Sequence, residues 1–447
     1  MKSRMLIAIA ALASITASTN VVSAATKKPA KPKPPTTKKA PLTKVATTAA
    51  TTAPTPVATT APAAAAPAAL APAAASGPCD KSKPEVKVGV SYSLSGPLAT
   101  LSADFLAGTE MAADDANTIK GGILGRCLKL VVKDDEGSAT KGAQVVRQLV
   151  SEEKVAFMVG PYASGVLGGV LDFTNKEKVL GANATLFPGA GDASKYPYTY
   201  RLAQSSEASG ADFAGYAKKK KWAKVGVLAV NTTLGTSTLD AFKKSLTGSG
   251  IDVSSVIFEA GTVDLTPALS KLQDSLPDAV YFFCTGGDLA NAVKARATLK
   301  YFAPTVSYST VADAAVVDAA GGAENMRGVV GEGFYLGQLR KANSAYAQRD
   351  AYSKFLDKLR LKKGEKVLKG AGNIPAGGYA GLDMFVVAAN KTGSLDADVM
   401  KKYLDTSGYD GVVEYKFTSA VHDGYSLDSL GFALATSLRD GTLEEAP

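Results

Sequence analysis

A short run of valines broken by a Ser-Gly-Pro turn constrains this chain more than any other stretch. Val86, Val88 and Val90 lead into Ser93, Ser95, Gly96 and Pro97, and a helical pattern follows. β-Branched residues bounded by polar breakers mark residues 85–91 as a buried strand, which Gly96 and Pro97 end and turn. Beyond the turn, Leu101, Phe105, Gly108, Met111 and Ala112 recur three or four apart, on one face of a helix. Strand, polar turn and helix open a βαβ unit. In an open parallel sheet a ligand sits beyond the carboxyl ends of the strands, near helix N-termini and unpaired backbone amides. Ser93, Ser95 and Gly96 stand at that point, although the same residues also read as a plain polar turn.

The pattern recurs along the chain. Asp134 and Asp135 precede a helix face (Ala139, Ala143, Val146, Val150), a buried strand at 155–160, a second helix face (Val166, Val170, Phe173) and a strand at 179–182. A helix start at Ser205, Ser206 and Glu207 opens a second series of the same kind, with strands at 224–230, 253–259, 279–284, 305–309 and 328–334. Helices at 344–361, 379–390 and 395–404 and the segments 411–417 and 429–438 follow. The expected fold class is α/β: two doubly wound lobes, one formed by 79–203 and 335–411, the other by 204–334 and 412–447, with a cleft between them.

The first 78 residues are of another kind. Lys2 and Arg4, an apolar run and the Val22-Ser23-Ala24 step have the order of a secretory signal, expected at 1–24. Residues 25–78 are almost wholly Ala, Pro, Thr and Lys, with no aromatic surface to bury, and are expected to be a disordered linker. In a polyproline-like conformation, at roughly 3 Å per residue, such an arm reaches on the order of 150 Å. It holds nine of the 50 Lys and Arg residues and no Asp or Glu, so the remainder carries 41 basic against 41 acidic residues. The positive net charge therefore says nothing for a nucleic-acid site; the basic arm suits contact with cell-envelope polyanions.

Export permits a disulfide. Cys79 lies just before the first strand and Cys127 just before the second; if the two strands are parallel neighbours, both cysteines lie at one sheet edge. A Cys79–Cys127 bridge with Cys284 free is expected, three reduced thiols being the alternative.

Much chemistry is excluded. The single histidine, His422, lacks a histidine partner or a Cys-x-x-Cys pair for zinc, and in its polar loop reads as a surface residue. Ser164 in Gly160-Pro161-Tyr162-Ala163-Ser164-Gly165 fails the spacing of a nucleophile elbow. No phosphate loop or dinucleotide fingerprint occurs, so no cofactor and no metal is expected. What recurs at strand ends is Ser95, Ala163 and Ser164, Asn183 and Thr185, then Asn231, Thr232 and Thr233. These are hydrogen-bonding groups without a titrating base, suited to holding a small polar molecule.

The sequences VGVSYSLSGPLA and GGILGRCLKLVVKDDEGSATKGAQVVRQLVSEEKVAFMVGP resemble the branched-chain amino acid and amide-binding proteins of ABC transporters, the Leu/Ile/Val-binding type, from about Val86 to the C-terminus. The resemblance implies two lobes joined by three crossings and closing on a small ligand. A ligand carboxylate or amide would meet Ala163, Ser164 and the Asn183-Ala184-Thr185 turn, with Leu98 and Leu101 lining the pocket and Thr233, Leu234, Ser309 and Thr310 facing them. It departs from the family where Ser309-Thr310-Val311 stands in place of an acidic residue, Asp313 lying two residues beyond, and where leucines replace cleft-wall aromatics. A bound ammonium would lack its counter-charge, so an amide, a urea-like compound or a carboxylate is expected, in that order.

The resulting expectation is an exported, monomeric solute-binding protein of a bacterial periplasm or cell-wall space, partnered by an ABC permease in the membrane and not an enzyme. Its alternatives are a sensing module of the same fold and an amidase-like hydrolase using Ser164.

Overall fold

The computed structural model describes residues 77–335, 350–363, 373–424, 430–434 and 444–445. The expected signal segment and almost all of the expected linker lie outside the described residues.

The first sheet begins with β1 (Val86–Tyr92), whose valines at 86, 88 and 90 are buried, and continues through helix α1 (Ala99–Thr118) to β2 (Leu128–Asp134). Helix α2 (Ala139–Arg147) leads to β3 (Phe157–Val159), and α3 (Ser164–Lys176) to β4 (Gly181–Asn183) and β5 (Thr199–Arg201). Every pairing is parallel, in the order β2-β1-β3-β4-β5, with Val88 opposite both Leu130 and Phe157. The chain steps to one side of β1 for β2 and to the other for β3. That reversal splays the loops after β1 and β3 and leaves a crevice between them.

The second sheet repeats the device. Helix α4 (Ser206–Lys219) precedes β6 (Lys224–Val230), α5 (Thr233–Leu246), β7 (Asp252–Phe258), α6 (Thr266–Gln273) and β8 (Ala279–Phe283). Then come α7 (Gly286–Thr298), β9 (Thr305–Tyr308), α8 (Ala314–Ala319) and β10 (Val329–Tyr335). β6 lies between β7 and β8, so this lobe's reversal opens between the loops after β6 and β8.

The chain then returns to the first lobe. Helices α9 (Asp350–Lys363), α10 (Asn373–Thr392) and α11 (Ala397–Ser407) follow, with Phe385 of α10 packed 4.8 Å from Phe157 and α1 laid against α10. That contact is backbone-close: a Cβ on Gly108 would stand 1.8 Å from the Pro375 carbonyl oxygen, so no larger residue fits there. A short hairpin, β11 (Tyr409–Asp410) with β12 (Glu414–Tyr415), comes next. Finally β13 (Leu430–Leu434) pairs antiparallel with β10, and β14 (Glu444–Glu445) with β13. Among the described residues the chain thus passes between the sheets three times: after Arg201, between 335 and 350, and between 424 and 430.

Two expectations are corrected. Residues 412–424 belong with the first sheet and not the second: Val421 bridges Asp192, Asp423 bridges Arg201, and Arg201 donates from Nε and Nη2 to both oxygens of Asp423 at 2.6 Å. A buried guanidinium needs such a paired carboxylate, which holds this segment in place. His422 is not a surface residue. It is fully buried and stacked on Tyr200 at 4.1 Å, with Nδ1 3.0 Å from the Thr199 carbonyl and Nε2 2.8 Å from Asp405. Burial lowers its pKa in spite of the opposing pull of Asp405 and Thr199.

Cys79 and Cys127 are joined in a disulfide, and Cys284 is free and buried. The bridge ties the segment before β1 to that before β2, at the sheet's amino end and away from the crevice.

Candidate functional site

The first wall of the site is set by the acidic pair that ends β2. Asp135, fully buried, accepts from Ser91 Oγ (2.9 Å), Ser93 Oγ (2.6 Å) and the Gly137 amide (3.0 Å). Asp134 accepts from the amides of Leu94 (2.9 Å) and Glu136 (2.8 Å). Burial works against its ionisation, but donors from Glu136, Ser95 and Leu94 outweigh that and hold its pKa below the usual value. One strand end therefore fixes the loops after both β1 and β2.

The two lobes meet across their reversals. The Gly287 amide of α7 donates to the Pro97 carbonyl at 3.2 Å. Gly286 has φ +58°, and a Cβ there would lie 2.7 Å from that oxygen and 3.5 Å from Leu101 Cδ1. Tyr162, after β3, pairs with Thr285, after β8, and its ring packs 4.7 Å from Phe105. Burial, with Asp313 nearby, raises the Tyr162 pKa, so the phenol stays protonated.

These contacts enclose a cavity of about 330 Å³. Ser93, Ser95, Leu98, Ala163, Ser164 and Thr185 line it from the first lobe; Thr232, Thr233, Leu234, Thr285 and Asp288 line it from the second. Helices α3, α5 and α7 all begin here, and their N-cap residues Ala163, Thr232 and Thr285 make no side-chain cap, whereas Asp396 caps α11. First-turn amides of α3 and α5 are thus left to whatever occupies the cavity, and they favour a carboxylate or carbonyl oxygen, whereas α7 commits its Gly287 amide to Pro97. Ser164 Oγ, in a residue 6 % exposed, has no partner. A smaller compartment of about 80 Å³ adjoins the cavity, sharing Tyr162, Ala184, Leu186, Leu234 and Thr285 as its neck. Ser309, Thr310, Gln204, Tyr308 and Glu332 lie in it.

Eight of the ten sequence-derived ligand residues line one compartment or the other. Ser95, Ala163, Ser164, Thr185, Thr233 and Leu234 line the larger, and Ser309 and Thr310 the smaller. Two do not. Leu101 is fully buried in the core below Gly286, and Leu98, one turn earlier on the same helix face, takes the lining position. Asn183 turns into the sheet, donating to the Tyr200 carbonyl (3.1 Å) and accepting from the Thr185 hydroxyl (2.9 Å), so it positions Thr185.

Tyr162, Thr285, Asp288 and Glu332 were not found from the sequence as ligand residues. Asp288, at the first turn of α7, accepts from the Gly261 amide at 2.7 Å; burial raises its pKa against that bond. The expectation of a cleft without acid is corrected accordingly: Glu136 and Asp288 line the larger compartment and Glu332 the smaller, while no Lys, Arg or His lines either among the described residues.

Residues 85–425 match the family model described as "Periplasmic binding protein". The chain belongs to that family. It is 29% identical over 202 residues to the Leu/Ile/Val-binding protein BraC3 of Rhizobium johnstonii, covering 44% of this chain and 54% of the relative. It is 25% identical over 205 residues to an amino acid binding protein of Pseudomonas aeruginosa, covering 44% and 53%. The chain thus spans about half the length of the curated relatives it matches. Among solved structures, the substrate binding protein LivJ of Streptococcus pneumoniae in complex with isoleucine superposes with a TM-score of 0.70 at 21% identity, over 81% of this chain and 99% of that one. The leucine binding protein LivK of Thermotoga maritima gives 0.68 at 19%, over 81% and 98%. The family and these relatives are binding proteins and not enzymes.

Proposed function

We propose that this member of the periplasmic binding protein family is exported, captures a small polar molecule between its lobes and delivers it to an ABC permease. The observation that carries the reading is the closed cleft. Two sheet reversals face each other, a backbone hydrogen bond from Gly287 to Pro97 spans them, and the enclosed cavity is lined from both lobes with uncapped helix starts and one unpartnered hydroxyl, Ser164. Such a cleft closes as a hinge around its ligand. Hydrolysis by Ser164 finds no support, since its hydroxyl has no base within hydrogen-bond reach. The relatives' printed names, Leu/Ile/Val-binding and amino acid binding, favour an amino-acid-like solute over the amide preferred above, and the acids lining the cleft agree with them.

The test is a thermal-shift screen of amino acids, amides and short carboxylates, followed by calorimetry on each hit. Ser164→Ala is expected to weaken the hit about tenfold by removing a hydrogen bond to the ligand. A hit that binds the variant as tightly as the parent would remove Ser164 from the site, and a screen without any hit would overturn the reading.

A further inference from the structure

We propose that the corner of the second lobe where α4 and α5 end is a docking surface for an anionic phospholipid membrane, met by six lysines and bordered by Trp222. Helix α4 ends in Lys218 and Lys219 with Lys220 and Lys221 directly after it, and α5 ends with Lys243 and Lys244 in its last turn. The two helices pack together, and Lys218 Nζ donates to the Ser245 carbonyl at 2.8 Å, which brings both ends to one corner. Five of the six lysines are exposed, and Lys220 is half-buried with its ammonium 5.4 Å from the Tyr216 ring. Lys243 reaches only a hydroxyl, Ser255 Oγ, and among the described residues none of the six is in an ion pair. The acids around them are Asp240, one turn before Lys243 and Lys244 on α5, and Asp252 and Asp278, which lie beside Lys224.

A helix dipole favours a cation or two in the last turn, not a run of four that outlasts the helix. Nor are these lysines a share of a generally basic surface, since residues 79–447 hold as many acidic residues as basic ones. Like charges gathered this closely repel one another until anions neutralise them. Ammonium groups on flexible stems, spread over two helix ends and outside both cleft compartments, suit a field of phosphates more than one enclosed anion. Trp222, half-buried, lies edge-on to Tyr216 at 5.8 Å and to Tyr281 at 6.1 Å. Part of its amphipathic ring is left beside Lys221, and such a ring settles where lipid headgroups meet water. Because α4 leads into β6 and α5 into β7, both helices end at the amino end of the second sheet, whereas the cleft opens at the carboxyl end. A receptor held by this corner keeps its cleft free to take up ligand.

The experiment is sedimentation of the full chain with vesicles of phosphatidylglycerol and phosphatidylcholine in equal parts, and with phosphatidylcholine alone, at about 0.05 M and about 0.5 M salt. The chain is expected to bind the anionic vesicles at low salt, and to be released by the higher salt. Lys219→Gln, Lys221→Gln and Lys244→Gln combined are expected to lower the partition coefficient about 100-fold, at about fivefold per lysine. A second triple variant, Lys81→Gln, Lys176→Gln and Lys391→Gln, removes the same net charge from exposed positions of the first lobe and is expected to stay within about threefold of wild type. Both variants keep the basic arm, so their difference measures the corner alone. Equal losses in the two, or a loss under about threefold in the first, would assign the binding to net charge or to the arm and overturn the proposal. Equal binding to anionic and neutral vesicles would overturn it too, as would lysine-dependent binding of soluble polyphosphate without binding to vesicles. Failure on any of these counts leaves the binding reading untouched, since the cleft lies at the other end of the lobe.

Discussion

Gly286 is the position at which closure can be weakened without touching the ligand. An alanine there would place its Cβ 2.7 Å from the Pro97 carbonyl oxygen across the cleft. An ordinary contact needs about 3.2 Å, so the lobes would have to part by about 0.5 Å at that point. The Gly287-to-Pro97 hydrogen bond, already at 3.2 Å, would then be lost. Losing it and repacking Leu101 amounts to about 1–2 kcal/mol against the closed state, which weakens any ligand that binds by closing by about 5- to 30-fold. The φ of +58° at Gly286 adds a left-handed penalty of about 1 kcal/mol, but equally in open and closed forms, so it lowers the melting temperature and leaves affinity alone. Gly189→Ala separates the two effects: φ there is +70°, and nothing lies within 4 Å of the added carbon. Melting temperature and calorimetric Kd would be measured for both variants with the tightest hit of the screen. If Gly286→Ala loses no more affinity than Gly189→Ala, the Pro97 contact has no part in holding the cleft shut.

Other expected outcomes follow from the same geometry. Replacing both Cys79 and Cys127 by serine releases a loop of 48 residues' separation and should lower stability by about 4 kcal/mol in the chain-entropy model, read by urea unfolding. Ligand affinity should be unchanged, because the bridge lies at the sheet end away from the cleft; a large loss of affinity would contradict that placement. His422 has a folded pKa below its unfolded value near 6.5, so the stabilisation it provides is complete above that pH and declines as pH falls through the folded pKa. Asp313, pushed up to about 6 by burial, contributes in the opposite direction, so the readout is the difference between wild type and His422→Gln. That difference should shrink from pH 8 to pH 5, and a constant gap would show that His422 does not titrate in this window.

The alternation of valine-rich strands with helices was legible because local periodicity records which face is buried, and both sheets follow it. Turn residues at strand ends likewise marked Ser95, Ser164 and Thr185. What could not be read depends on contacts distant in sequence. Glu332, between Gly331 and Gly333, looks like any polar strand residue until β9 and α4 are placed beside it. His422 looks exposed because its loop is polar, and only the return of 412–424 to the first sheet puts Tyr200 and Asp405 around it. Helical spacing put Leu98 and Leu101 on one face but not at one depth, and the cleft reaches only the first.

The Asp134–Asp135 pair also bears on the kinetics of capture. Because these two carboxylates fasten the loops after β1 and β2 when the lobe folds, the first wall is already ordered when a solute meets it. Arrival then requires no rearrangement of that surface, and encounter should proceed at similar rates for strong and weak ligands alike. Discrimination among solutes would lie in residence time, in how long the second lobe stays down once it has closed.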